Sequence, residues 1–181
     1  MTGILQSKLQ RTSPRSTRPG GRETLFGCIV ESPIGPLALA VSEKGVVSLH
    51  FGRALPWQTD LIESEAKTAV CRRELEEYFA GERTRFTVPL DLRGTSFQKQ
   101  CWQALLDIPY GETRSYADIA WAVGRPRAFR AVGMANHDNP VAIIVPCHRV
   151  VGSNGDLTGY GGGLEVKRRL LELERRHRVS G

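Results

Sequence analysis

Residues 146–150 read Pro-Cys-His-Arg-Val, and the cysteine and histidine at their centre are the first candidates for chemistry. A cysteine acts as a nucleophile only as a thiolate, so it needs a base or a positive environment beside it. His148 is adjacent to Cys147, and Arg149 adds positive charge. The apolar run Val141 to Val145 reads as a short buried strand that delivers Cys147. Neighbours on a strand point to opposite faces, so a regular backbone would turn His148 away from the sulfur. Contact then needs an irregular backbone, which Pro146 permits, or a bridging water. Taken alone, a Cys-His pair is more often a buried cysteine beside a satisfied histidine.

The elements that must carry these residues differ along the chain. Residues 1–22 are rich in Ser, Thr, Arg, Pro and Gly, carry Lys8, Arg11, Arg15, Arg18 and Arg22 without an acidic residue, and are expected to be a disordered basic tail. Residues 23–90 carry a net charge of −3 and residues 91–181 a net charge of +4, within a total of +6. A basic C-terminal half beside an acidic N-terminal half suggests an anionic partner, although a solubilising surface would look the same. Leu25 to Glu31, Pro36 to Ser42 and Val46 to Phe51 read as strands of an antiparallel meander, separated by turns at 32–35 and 42–45. Residues 60–80 read as a helix with Val70, Leu75, Tyr78 and Phe79 inward and Gly81 as its stop. Phe86 to Leu90 is a further strand or an extended linker.

The second half is mainly helical. Thr95-Ser96-Phe97-Gln98 fits a capping box, followed by a core stripe of Phe97, Cys101, Leu105 and Ile108. Ser115 caps a helix to Val123, Gly124-Arg125-Pro126 breaks it, and Arg127 to about Asn136 forms the next. Two short helices across a tight glycine turn make a helix-turn-helix. Gly152 to Gly163 reads as a loop, and Leu164 to about Arg175 as a final helix offering Leu170, Leu171 and Leu173 to the core. The expected class is α+β, with domains at 23–90 and 91–181.

Several function classes are excluded. No apolar run is long enough for a membrane span, and the N-terminus lacks a secretory pattern. The four cysteines, Cys28, Cys71, Cys101 and Cys147, form no Cys-x-x-Cys pair, so a reduced, cytoplasmic protein is expected.

The sequence strongly resembles the O6-alkylguanine-DNA alkyltransferase family. The resemblance is carried by Asn139 to Val150, with its Pro-Cys-His-Arg signature, and by Gly159-Tyr160, Gly162-Gly163-Leu164, Lys167 and Leu170-Leu171. Phe97-Gln98, Trp102, Ile108 to Gly111, Ser115-Tyr116 and Arg130 to Gly133 complete it, so that it covers about residues 93–175. It implies a ribonuclease-H-like first domain, a winged-helix-like second domain and direct-reversal DNA repair. Each molecule would flip O6-alkylguanine from the duplex through the minor groove and take the alkyl group onto Cys147 once, with O4-alkylthymine open as a second substrate. By resemblance His148 is the general base, acting through a water, and Glu174 orients it, with Glu172 as a rival. Tyr116 serves guanine N3, and Asn139 is the hinge. Tyr160 and Gly161 form the base pocket, and the Cys147 and Val150 carbonyls accept from the exocyclic amine. Arg130 enters the base stack. Ala131, Gly133 and Ala135 let the recognition helix lie close in the groove, and Arg127, Arg125 and Arg114 serve phosphates.

Two departures stand out. Phe129 takes a position where small residues are common, either packing inward or acting as a wedge in DNA. Ala142 is smaller than the proline of some members, which would widen the pocket for longer alkyl groups. No metal or cofactor is expected, since the ligand set that holds a structural zinc in the first domain of some members is incomplete in this sequence. The partner is duplex DNA bearing alkylated guanine, bound by a monomer, with cooperativity on DNA open. A non-repairing damage sensor, a hydrolase and a helix-turn-helix transcription regulator are the alternatives.

Overall fold

The computed structural model describes residues 23–54 and 61–178, so the basic tail expected at 1–22 lies outside the described residues. Strands β1 (Leu25–Val30), β2 (Leu37–Ser42) and β3 (Gly45–Phe51) form the expected antiparallel meander. A fourth strand, β4 (Leu61–Glu63), pairs in parallel with β1, giving the order β3-β2-β1-β4. The sheet is therefore mixed rather than purely antiparallel. Helix α1 (Glu65–Phe79) starts four residues after that strand begins, because Ser64 caps it by accepting from the Lys67 backbone N–H. The expected start at 60 merged a short strand with this helix. Cys71, Leu75 and Tyr78 face the sheet, whereas Val70 is 52% exposed and lies off the core face.

Residues 84–90 are an extended connection with a single bridge, Val46 to Leu90. A buried carboxylate holds them. Glu74 accepts from the Thr87 N–H at 2.8 Å, the Val88 N–H at 3.3 Å and the Thr87 hydroxyl, with Arg83 at 3.4 Å. Burial opposes ionisation of Glu74, but these partners outweigh it and its pKa is lowered.

The C-terminal part is helical. Helix α2 (Ser96–Leu106) begins with the full Thr95–Gln98 capping box and buries Cys101, Trp102 and Leu105. Strand β5 (Arg114–Ser115) leads into α3 (Tyr116–Ala122), capped by Ser115, and α4 (Phe129–His137) follows. Gly124 adopts φ +71° in the turn between them, and Arg125 N–H returns to Ala120 O at 2.8 Å. Trp102 Nε1 donates to Ala135 O at 2.8 Å and locks α4 onto α2. A two-residue strand β6 (Val150–Val151) pairs in parallel with β5, and α5 (Leu164–Arg176) closes the fold.

Val141 to Val145 is fully buried but is not a strand. It makes one bridge, Leu49 to Val141, and then turns, with Ile144 N–H to Ala142 O at 2.8 Å and Val145 N–H to Val141 O at 3.0 Å. Ile143 sits at φ +71°, alone among the described non-glycine residues. Such a conformation in a β-branched residue is strained and persists only where the surroundings impose it. The apolar run signalled burial, and burial does not specify an extended backbone.

Candidate functional site

The turning segment ends in a 3-10 turn, Cys147–Arg149, so the facing problem of a regular strand does not arise. Asn139 shapes it. Its Oδ1 accepts from Val141 N–H at 3.0 Å, and its Nδ2 donates to Val145 O at 2.8 Å and to Cys147 Sγ at 3.1 Å. One side chain thus fixes both ends of the turn and places a donor on the sulfur. Cys147 is 8% exposed. Burial pushes its pKa up, opposed by the Asn139 hydrogen bond and the Lys167 charge, so the resting group is a thiol.

His148 and Glu174 are both fully buried. His148 Nε2 lies 2.7 Å from Glu174 Oε1. The same carboxylate accepts from Tyr78 Oη at 2.7 Å, Arg149 Nε at 2.9 Å, Arg149 Nη2 at 3.0 Å and Gly111 N–H at 3.0 Å. Burial works against ionisation of Glu174, but His148 and Arg149 outweigh it and hold its pKa far below the ordinary value. An ionised Glu174 keeps the ring proton on Nε2 and leaves Nδ1 as the acceptor. Nδ1 is buried and has no hydrogen-bond partner among the described residues. Burial lowers the His148 pKa despite the carboxylate, so the ring rests neutral and is able to take a proton.

Glu172, its rival, is partly exposed and faces Arg176 at 3.8 Å. Arg149 does not add charge beside Cys147, as its position suggested. Its guanidinium clamps Glu174, donates to Ile108 O at 2.7 Å and lies 5.7 Å from the Tyr110 ring centre.

A cavity of about 680 Å³ opens over Cys147, lined among others by Tyr116, Phe129, Gly133, Thr158, Tyr160 and Gly161. Thr158 Oγ1 donates to Tyr116 Oη at 3.1 Å, so the phenol keeps its own proton for a guest. Tyr160 packs edge-on against Phe51 of β3 at 5.4 Å, and a Cβ on Gly162 would meet the Phe51 ring at 2.9 Å. Glycine is therefore required where this loop crosses the sheet edge. Lys167 is fully buried and donates to Val150 O at 2.6 Å and Thr158 O at 2.9 Å, tying the loop to β6.

On α4, Arg130, Ala131 and Phe129 are exposed, and Gly133 is half-buried at the cavity. Phe129 does not pack inward; it is 48% exposed. Ala135 is a correction. It is 2% exposed and faces α2, so its small size serves helix packing and not an outer surface. Arg127 and Arg125 are exposed, the latter 5.4 Å from the Phe97 ring centre, and Arg114 is paired with Glu112 at 3.0 Å.

Four residues at or beside the site carry no role readable from sequence: Tyr78, Lys167, Asn136 and His137. Lys167 and Glu174 had a signal, because with Leu170 they form a helical stripe that puts two charges on the buried face of α5. Tyr78 looked like an ordinary core aromatic. Asn136 and His137 lay beyond any motif, yet both line the cavity. Among the described residues, no group of three or more His, Cys, Asp or Glu is placed to hold a metal ion, and no helix is long and apolar enough to cross a membrane.

Residues 25–92 match the ribonuclease-like domain of 6-O-methylguanine DNA methyltransferase, and residues 96–176 match its DNA-binding domain. The methylated-DNA–protein-cysteine methyltransferase of Methanosarcina barkeri is 52% identical over 149 residues, covering 81% of this chain and 94% of the relative. The Mycobacterium tuberculosis protein of that name is 53% identical over 148 residues, covering 81% and 90%. The crystal structure of Mycobacterium tuberculosis OGT in complex with DNA superposes with a TM-score of 0.79 at 51% identity, covering 85% of this chain and 94% of that one. With both halves of the chain matched and the sequence about half identical to these relatives, the chain belongs to the O6-alkylguanine-DNA alkyltransferase family.

Proposed function

We propose that Cys147 is the acceptor of an alkyl group taken from guanine O6 in duplex DNA, and that each molecule acts once. The activity is direct-reversal DNA repair by a methylated-DNA–protein-cysteine methyltransferase, and DNA is the partner. The observation that carries the residue roles is the buried line Cys147, His148, Glu174, ending beneath a cavity beside an exposed helix.

A base within a duplex cannot reach a buried thiol, so the target must leave the stack. Arg130, exposed on α4, fills the gap it leaves, and Phe129 beside it supplies an apolar wedge. Ala131 and Gly133 let the helix approach the minor groove, where readout is degenerate and suits a lesion found in any sequence. Arg127 and Arg125 take phosphates; Arg114 does so only by exchanging Glu112.

In the cavity, Tyr116 donates to guanine N3 and the Gly161 N–H to O6, where charge develops. The Cys147 and Val150 carbonyls accept from the exocyclic amine. Each already accepts one bond, from the Val150 N–H and Lys167 respectively, and a carbonyl has a second lone pair. The thiol proton passes through a water to His148 Nδ1, and Glu174 stabilises the resulting imidazolium. The sulfur then attacks the alkyl carbon as the carbon–O6 bond breaks, its electrons passing to guanine. The imidazolium gives up the thiol proton through water as guanine takes up one proton and leaves the cavity, and the thioether remains, since nothing in the line hydrolyses it.

The working unit is a monomer divided at about residue 90 into a supporting and a transferring domain, and it resides in the cytoplasm, where its four free cysteines stay reduced. Intact-mass measurement after mixing with a duplex bearing one O6-methylguanine tests the proposal. One methylene mass should be gained per molecule, with an equal amount of guanine restored, and none in Cys147→Ala. Binding without mass gain would instead indicate a damage sensor.

A further inference from the structure

The mechanism above leaves Asn136 unused, yet Asn136 is 9% exposed and both its Nδ2 and its Oδ1 are buried without a partner among the described residues. A buried amide with neither end bonded is costly, and its persistence beside a site points to a guest. Asn136 lines the large cavity over Cys147. It also lines a smaller one of about 230 Å³, which shares Cys147, Tyr160 and Gly161 with the first and is lined as well by His50, Phe51 and Ala142. The sulfur therefore stands where two cavities meet, with a donor and an acceptor side by side at the junction.

On the proposed reading, the polar edges of guanine are already met by Tyr116, Gly161 and the two carbonyls. What remains for the smaller cavity is the group being transferred. Methyl is too short to extend past the sulfur, but a two- or three-atom chain would enter, and Ala142 keeps the wall low. We infer that Asn136 is a specificity-determining residue that favours transferred groups ending in a hydroxyl, such as 2-hydroxyethyl, over apolar groups of the same size. A hydroxyl both donates and accepts, so it satisfies Oδ1 and Nδ2 together. An n-propyl group fills the same space and leaves the amide unpaired, which a site built for a hydrogen bond penalises. The chemistry is otherwise that of methyl transfer. The sulfur bonds the first carbon of the chain, the bond to O6 breaks with its electrons going to guanine, the thiol proton ends on guanine, and the terminal hydroxyl is unchanged.

The inference rests on the proposed function, and one experiment separates the two. Single-turnover transfer is followed by mass on duplexes bearing O6-methyl-, O6-(2-hydroxyethyl)- or O6-(n-propyl)guanine, for the native chain, Asn136→Leu and Asn136→Ala. The native chain should transfer hydroxyethyl about tenfold faster than propyl. That ratio should fall to about one in either variant; being internal to each protein, it does not depend on overall activity. A native ratio near one, or a ratio that survives in a variant that still transfers, overturns the role of Asn136 and leaves the proposed function standing. Absence of methyl transfer to native Cys147 overturns both.

Discussion

Glu74 and Glu174 are the same residue type, equally buried, one in each half of the molecule, and only one sits in the candidate site. Both gather hydrogen bonds and an arginine, and in both the carboxylate is held ionised against the cost of burial. The difference lies in what their partners have left to offer. Glu74 is met by Thr87, Val88 and Arg83, the last also paired with Glu77 at 2.7 Å, a set without a titratable ring or a nucleophile that fastens the 84–90 connection. Glu174 is met by Tyr78 and Gly111, by Arg149, and by a ring whose second nitrogen is uncommitted. Burial and a lowered pKa alone therefore do not mark a catalytic carboxylate. The proposed role of Glu174 rests instead on a partner with remaining proton capacity, placed next to a cysteine.

Substitution should break the symmetry sharply. Glu174→Gln leaves Arg149 without its counter-charge and frees the His148 tautomer. Alkyl transfer should fall about 10²–10⁴-fold in single-turnover assays, and denaturant unfolding should show a loss of about 3–5 kcal/mol. Glu74→Gln should cost about 1–3 kcal/mol in the same unfolding measurement and leave the transfer rate within about threefold where the chain is folded. Tyr78→Phe probes the seam between the halves. It removes one bond to Glu174 and should cost about 1–2 kcal/mol with less than a tenfold fall in rate.

Two pH profiles sharpen the same contrast. Folded-state values for Glu74 and Glu174 lie below the ordinary 4.5, so the unfolded chain binds protons first as pH falls. Their contribution to stability is complete above that value and is lost as pH falls through the folded values; Glu74→Gln should remove only its own part of the slope. Transfer behaves differently. With the Cys147 pKa raised from 9.0 and that of His148 lowered from 6.5, thiol beside neutral imidazole is the form present between those values and the proton passes within the pair, so the rate should be level over about pH 7–9 and fall in acid as His148 takes a proton from solvent. A rate that climbs steadily over that range would mean that the thiol loses its proton to solvent and that His148 is not its base.

Elements with local signatures were legible in the sequence. The Thr95 capping box, the Ser115 cap and the Gly124 turn each depend on a few adjacent residues, and each formed as read. What escaped depended on distant partners. Strand β4 exists because β1 offers it an edge, and its parallel direction has no local cue. Val141 to Val145 turns because Asn139 bridges its ends, although its composition suits a strand. Ala135 has the small size a groove-facing residue needs, but the period of α4 turns it inward beneath Trp102. At the candidate site, Cys147, His148 and Glu174 were nameable through family resemblance, and the structure brings the latter two to 2.7 Å. Tyr78 reaches the same carboxylate across 96 residues of chain, which no spacing rule could have foreseen.

On the proposed reading, Cys147 accepts the alkyl group through a relay that depends on Glu174 and not on Glu74. Peptide mapping of Cys147 methylation over time, with one O6-methylguanine duplex and the native chain, Glu174→Gln and Glu74→Gln side by side, tests it most directly. Cys147 should be completely methylated in the native and Glu74→Gln chains while Glu174→Gln lags by about 10² or more. Equal rates in the two folded variants, or methyl found on another residue, would contradict it.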